Sequence, residues 1–415
     1  MSNKYLETKR YKLIAISPVH IKSGEAGFRE YGQGFIRLVG DKNNIYVIDA
    51  PKLQEKIYDL GGLNAVIEFT KKINENNFSV AEFLQNYNFR LNKDTIKSIS
   101  KGIVYSKQYG KEISKFISNG FDECFIPGSS IKGALKTAVL YEMLKNQDEY
   151  LHNLLVDQLN KYDQKKYEVD NERVAKRKRK LQNELNKLKE GFAKRIIKEY
   201  IHDTTPLDIN KKTEVSNPTL QSKDFFRAVK ISDSSVFSVV EKNIGIMTLN
   251  KNNTPQWKTS YGKSMEIKAE IMQVQTETLI EISIDHYILN SFKNKTNIPF
   301  TNLDELIQLS QNFAQRLWEF EYNYIKTFSN STNFNLSNIR KYYSQNIKPT
   351  MRLGWGSGLL GTTVNLLLSE EMRQDLRNTI YVNRQNQPAP KSRRFVKNYA
   401  DQPELPLGWI RLEEM

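Results

Sequence analysis

Two bends built from small residues hold the sequence's main prospects for chemistry. The first is Gly128-Ser129-Ser130-Ile131-Lys132-Gly133, between Ile126-Pro127 and Ala134-Leu135-Lys136-Thr137. The second is Leu353-Gly354-Trp355-Gly356-Ser357-Gly358-Leu359-Leu360-Gly361. Small side chains let an anionic oxygen approach backbone N–H groups, and a helix N-terminus leaves several such donors unpaired at its positive dipole end. Lys132 and Lys136 lie four apart, share a helical face and can add charge there. Taken alone, the first bend reads better as an ordinary helix start, capped by Ser129 or Ser130 and running on through Leu144. It fails as a Walker A loop, because Ala134 and Leu135 stand where Lys and Ser or Thr are required.

The second bend contains a formal G-x-G-x-x-G from Gly356 to Gly361. A dinucleotide fold is disfavoured, because that fingerprint opens a βαβαβ half and too little chain follows it here, so a nucleotide-binding enzyme is only the third reading. Its glycines each cost conformational entropy, and close approach of the backbone to a ligand would supply a reason for them. Trp355 could stack on a base, worth about 1–3 kcal/mol, or plug the core; the sequence leaves both open.

Other reactive types are scattered. His20 lies in Ser17-Pro18-Val19-His20-Ile21-Lys22-Ser23-Gly24. It could serve as a general acid or base, although such a residue more often bonds the backbone or contacts phosphate, with Lys22 and Gly24 beside it. His152, His202 and His286 form no metal-ligand spacing, and no G-x-S-x-G elbow is present. No cofactor or metal is expected. Asp233 follows a strand and reads as a turn former. Cys124, the single cysteine, excludes an internal disulfide and reads as a small core residue in a reducing compartment. Arg393-Arg394 beside Phe395 is a compact basic patch suited to phosphates. The run Arg173, Lys176, Arg177, Lys178, Arg179 and Lys180 reads as a solvated helix face ahead of an RNA contact.

These residues need elements to hold them. Residues 10–17 alternate as a strand that Pro18 ends. Phe35–Val39 and Ile45–Ile48 suggest a hairpin, and Leu63–Ile73 and Val80–Tyr87 suggest helices. Residues 146–203 read as a helical insertion with Leu181, Leu185, Leu188, Phe192 and Ile196 on one face. Thr204–Thr219 reads as a linker. Strands are expected over Phe226–Ile231, over Met265–Val274 paired in a tight hairpin with Thr278–Ile284, and over Leu407–Leu412; a helix is expected over Leu303–Phe328. The whole reads as α+β, in two units split near residue 222, the first (1–222) carrying the insertion and the second (223–415) the glycine-rich loop 354–361.

The balance of 62 Lys+Arg against 47 Asp+Glu gives a formal charge of +15 over 415 residues, which favours a polyanionic partner. The N-terminus lacks the apolar region of a signal peptide, and no run approaches the roughly 20 apolar residues that span a bilayer. A cytoplasmic protein without membrane contact is the expectation.

The order of the pieces says more than any one of them. The succession Ser17 to Gly24, Ile126 to Thr137, Lys230-Ile231-Ser232-Asp233-Ser234, Leu353 to Gly361, then Arg393-Arg394 and Pro406-Leu407-Gly408-Trp409-Ile410 resembles the RAMP superfamily of CRISPR proteins. Within it the likeness is to the fifth Csm subunits of type III-A effector complexes. The resemblance implies two ferredoxin-like, RRM-related domains. It implies a non-catalytic, crRNA-binding subunit at the head of the complex, over the 3′ region of the crRNA and beside the RAMP backbone subunits. A part in maturing the crRNA 3′ end with host nucleases is also implied. The implied RNA-binding residues are His20, Lys22, Gly24, the bends Gly128 to Gly133 and Gly354 to Gly361, Lys136, Arg393 and Arg394. Some RAMP relatives cleave precursor RNA without metal, so a metal-independent endoribonuclease using His20 is the alternative.

Overall fold

The computed structural model describes residues 5–23, 28–29, 35–36, 38, 44–73, 78–105, 112–189, 207–208, 213–214, 224–260, 263–293, 297–329, 334–380 and 388–415. Its central sheet has five antiparallel strands in the order Met351–Arg352, Trp409–Glu414, Leu6–Ala15, Glu277–Asp285, Val229–Ile231. The first strand sits between the other two long ones, with Leu13 opposite both Thr278 and Leu412. Its alternation places Tyr11, Leu13 and Ala15 in the core while Thr8 and Arg10 face solvent.

Helix Gly128–Leu144 follows the first strand and helix Leu303–Lys326 follows the third, and the two pack against each other. Leaving the short edge strand aside, the chain runs β-α-β-β-α-β with spatial strand order 4-1-3-2, the ferredoxin-like arrangement. Ile131 and Leu135 of one helix and Leu306 of the other meet Leu13, Ile282 and Leu412 of the sheet in one core. The second helix is well delimited: the Asn302 side chain accepts from the Glu305 N–H, Asp304 and Glu305 occupy the first turn, and Lys326 lies in the last.

A second sheet is assembled from segments that interrupt this order: Phe28–Arg29, Glu112–Ser114, Val240–Leu249, Glu266–Ile271, Arg393–Lys397 and Pro403–Pro406. The division expected at residue 222 therefore does not separate one sheet from the other. Both long neighbours of the first strand come from the second half of the chain, because periodicity marks a strand without naming its partner.

The hairpin expected between 265–274 and 278–284 is also corrected. Both strands exist, as Glu266–Ile271 and Glu277–Asp285, but they lie in different sheets. The link between them is bonded to the loop after the first strand instead: Met272 bridges Val19, and the Gln275 N–H donates to the Ala15 carbonyl with Gln275 at φ 66°.

Smaller differences have local causes. The hairpin of Phe35–Ile36 with Asn44–Ile48 forms, and Ser100–Tyr105 adds a third strand. The helix expected from Leu63 begins at Ala50 and breaks at Gly61-Gly62, Gly62 adopting φ 63°. The insertion comprises helices Asp148–Asn171 and Ala175–Lys189, with Leu181, Leu185 and Leu188 against Tyr162 and Val169; Phe192 and Ile196 lie outside the described residues. Of the expected linker, the described part is a two-stranded pair, Leu207–Asp208 with Thr213–Glu214. The strand expected from Phe226 begins at Val229, because the Asp224 carboxylate accepts from the Phe226 N–H and winds Phe225–Ala228 into a 3₁₀ turn. The last strand starts at Trp409. Among the described residues, no helix is long and apolar enough to cross a membrane.

Candidate nucleic-acid interface

The glycine-rich loop is stitched to the end of the first strand. The Trp355 N–H donates to the His20 carbonyl at 2.8 Å, and the Gly408 N–H donates to Pro18. Gly354 has φ 71°, and a Cβ there would lie 2.2 Å from the His20 oxygen. At Gly356 it would lie 2.3 Å from Leu407 Cβ, and at Gly361 3.3 Å from Leu317. This corrects the expectation that a ligand explains these glycines: at these three positions the chain itself takes up the space. Only Gly358 of the four, at φ 64°, opens onto free space. The Ser357 hydroxyl is buried and donates to the Arg352 carbonyl.

Trp355 is half-buried, neither a core plug nor a free platform. Its ring meets His20 edge to face at 5.8 Å, and the Arg394 guanidinium lies over it at 4.5 Å while donating to the Trp355 carbonyl at 3.2 Å. Three segments far apart in sequence thus converge on one aromatic ring.

His20 cannot act on a substrate from its position. It is fully buried, with Nδ1 2.7 Å from the Glu270 carbonyl and Nε2 3.0 Å from the Ser114 hydroxyl. The carbonyl can only accept, so Nδ1 carries the proton and Nε2 accepts from Ser114. Burial pushes the imidazole pKa below its ordinary value; the Glu270 carbonyl raises it and Lys22 lowers it further. As pH falls below about 6.5, the unfolded chain therefore takes up a proton before the folded one does. The stabilisation is full above that pH and is lost on acidification. The urea midpoint is expected to fall between pH 7.5 and 5.5, and His20→Gln should flatten that fall.

The paired arginines divide their roles, since neighbours on a strand face opposite ways. Arg393 turns inward: its Nε donates to Glu321 Oε2 at 2.6 Å and its guanidinium lies 4.0 Å over Tyr324. Glu321 also reaches Arg352 at 3.6 Å, and all three are buried. Arg393 is therefore a structural ion-pair partner. Arg394 turns the other way and has no carboxylate partner among the described residues; its Nε is buried without a hydrogen bond. Burial, then the charge of Arg352, lowers its pKa, yet an arginine remains charged near neutrality. Trp355 is thus topped by a cation that no carboxylate among the described residues neutralises.

The first bend is arranged differently from expectation. The helix begins at Gly128 with Pro127 as its cap residue, and neither Ser129 nor Ser130 caps it through its side chain. Asp233, expected only to form a turn, takes the Gly128 N–H on Oδ1 at 2.8 Å, so a carboxylate of the chain already sits at the helix's positive end. A Cβ at Gly128 would lie 2.4 Å from the Ile231 oxygen. Lys132 donates to the Val229 carbonyl at 2.7 Å, and Lys136 pairs with Asp224 at 2.6 Å. Ser129 and Gly133 are exposed. Lys22 is exposed beside Phe116, and Gly24 lies outside the described residues. Cys124 is buried, and burial pushes its thiol up to about 11. Among the described residues no group of three His, Cys, Asp or Glu could hold a metal ion.

Glu321 and Arg352 were not singled out from sequence, and Asp233 was read only as a turn former. Each acts on a residue far along the chain, so no local spacing could reveal them.

Comparison with known proteins places this geometry in a family. The family model of the RAMP superfamily matches residues 12–360. The structure is similar to a chain in the cryo-EM structure of a Csm–crRNA–target RNA ternary complex of a type III-A CRISPR–Cas system, with TM-score 0.57 and 21% identity over 98% of this chain and 100% of that one. It is also similar to the crystal structure of Csm5 from T. onnurineus, with TM-score 0.53 and 19% identity over 96% and 99% of the respective chains. No curated protein matches the sequence.

Proposed function

Because the chain belongs to the RAMP superfamily, we propose that it is a non-catalytic, crRNA-binding subunit of a type III-A Csm effector complex. In this reading it caps the head of the complex at the crRNA 3′ region, beside the backbone RAMP subunits, and helps define where host nucleases stop trimming the guide. The likeness to a chain of a Csm–crRNA–target RNA complex and to Csm5 supports the assignment. The observation that carries RNA binding is Arg394, stacked on Trp355 in the glycine-rich segment and without a carboxylate partner among the described residues. A cation over an indole can meet a phosphate while the ring edge meets a base. Contacts of this kind read the backbone more than the sequence, as a subunit accepting any guide requires.

Arg394→Gln combined with Trp355→Leu is expected to lower crRNA retention in the purified complex about tenfold, as loss of one stacking and one phosphate contact would. Unchanged retention, with photocrosslinks of the guide mapping away from the loop, would refute the assignment. The endoribonuclease alternative draws no support from His20, whose two nitrogens are engaged in the interior. Cutting of labelled repeat RNA by the purified chain in EDTA, abolished by His20→Ala, would restore it.

A further inference from the structure

We propose that residues 173–180, at the tip of the helical insertion, form a second surface for single-stranded RNA, which grips the phosphate chain away from the Trp355–Arg394 loop. The inference rests on the functional reading only in taking RNA as the polyanion.

Arg173, Lys176, Arg177, Lys178, Arg179 and Lys180 supply six positive charges in a chain whose net charge is +15. All six are exposed, and among the described residues none has an ion-pair or hydrogen-bonding partner for its side chain. Elsewhere in the same hairpin Lys161 pairs with Asp157, and Lys165 with Glu168 and Glu184.

The arrangement works against the helix that bears it. Helix Ala175–Lys189 has no acid in its first turn. Five consecutive cations sit at its positive dipole end, and Lys176 and Lys180 repel each other at i,i+4. Nor do these side chains shield apolar surface, because Leu181, Leu185 and Leu188 already pack on Tyr162, Val169 and Leu376. The solvated-face reading accounts for neither the missing acids nor the unpaired cations.

Geometry selects the partner. Five successive residues span more than one turn of helix, so their charges point to all sides. A rigid acidic protein surface would meet one side only, whereas a flexible polyphosphate can wrap the helix end. Three of the six are arginines, whose forks match phosphate oxygens. Tyr167, 72% exposed on the preceding helix near the same end of the hairpin, offers a ring for a base to stack on.

The test uses the full chain with all six residues changed to glutamine (Arg173→Gln, Lys176→Gln, Arg177→Gln, Lys178→Gln, Arg179→Gln, Lys180→Gln), which preserves helix propensity. Its probe is a fluorescein-labelled uridine oligonucleotide titrated at several KCl concentrations. Affinity at low salt should fall at least about tenfold, and the slope of log K against log salt should shrink by about 2–4, at roughly 0.7 per single-strand phosphate. Arg173→Lys, Arg177→Lys and Arg179→Lys together should keep the slope. A six-fold variant with the wild-type slope overturns the proposal, as does tighter binding of polyglutamate than of the oligonucleotide, which would assign the surface to an acidic protein. If the six-fold variant binds normally while Arg394→Gln weakens binding, this inference fails and the functional reading stands. If the wild-type chain does not bind the oligonucleotide, both fall.

Discussion

Glu321→Ala is expected to destabilise the protein by about 3–5 kcal/mol, the usual cost of removing one partner from a buried ion pair. Glu321 is 3% exposed, and Arg352 and Arg393 are each 6% exposed. Its two oxygens serve different arginines, Oε2 taking Arg393 at 2.6 Å and Oε1 facing Arg352 at 3.6 Å. Without the carboxylate, two guanidiniums would stay buried near each other with no anion between them. Both have other anchors that hold them in place: Arg352 donates to the Leu407 carbonyl and stacks on Trp409, and Arg393 donates to the Pro390 carbonyl. Relief by swinging into solvent is therefore closed to them. Glu321→Gln keeps an acceptor for Arg393 and should lose less. Urea unfolding of the three proteins measures this order, and an alanine variant with the wild-type midpoint would show that Glu321 is not the anchor described. The position matters beyond stability. Glu321 sits on the helix Leu303–Lys326, Arg352 on the central sheet and Arg393 on the second sheet. One carboxylate thus joins both sheets through Arg352 and Arg393, and the Arg352 carbonyl in turn accepts from Ser357 of the segment that carries Trp355.

How much of this was legible in the sequence depends on the range of the interaction. Short-range signals held in part: the alternation of residues 10–17 marked a strand and the Leu303 periodicity marked a helix, whereas the glycines expected to form a loop at 354–361 are wound into a 3₁₀ turn at Gly354–Gly356 and a helical turn at Gly358–Thr362, with positive φ at Gly354 and Gly358. Pairing was not legible. Nothing in Met265–Ile284 distinguishes a hairpin from two strands that part into different sheets, because both arrangements satisfy the same alternation; the choice is made by Val19 and Ala15, far upstream. The same limit explains the arginines. Arg393 and Arg394 are alike in sequence, and one-residue alternation sends one to Glu321 and the other to Trp355. The first bend misled for a related reason. Its small residues suggested room for a phosphate, whereas Gly128 is small because the Ile231 carbonyl comes close, and its N–H is already held by Asp233. A glycine records that something approaches the backbone, not whether that something is a ligand or the chain itself.

That distinction yields the sharpest comparison among single substitutions. Gly354→Ala is expected to cost about 4 kcal/mol, because two penalties add. At φ 71° a Cβ alone costs about 1–2 kcal/mol, and here it would also lie 2.2 Å from the His20 oxygen and 3.0 Å from the carbonyl carbon. Those atoms are backbone. The oxygen also accepts the Trp355 N–H, so the carbonyl cannot swing aside as a side-chain tip could. Gly358→Ala shares the left-handed backbone, at φ 64°, but nothing lies within 4 Å of its Cβ, so it should cost only about 1 kcal/mol. Gly133→Ala, inside a helix and facing open space, should stabilise by up to about 1 kcal/mol. The readouts are urea midpoints together with tryptophan fluorescence, compared with the same substitution in a Trp355→Phe background to isolate Trp355. Gly354→Ala should shift the emission, because displacing His20 from the loop removes the imidazole now packed at the edge of that indole. Equal losses at Gly354 and Gly358 would mean that backbone conformation alone sets the cost and that the contact with His20 does not hold the loop. The predicted ordering makes the segment a rigid mount whose glycines serve the fold, and under the proposed function it leaves the half-buried Trp355 and the charge of Arg394 as the groups offered to RNA.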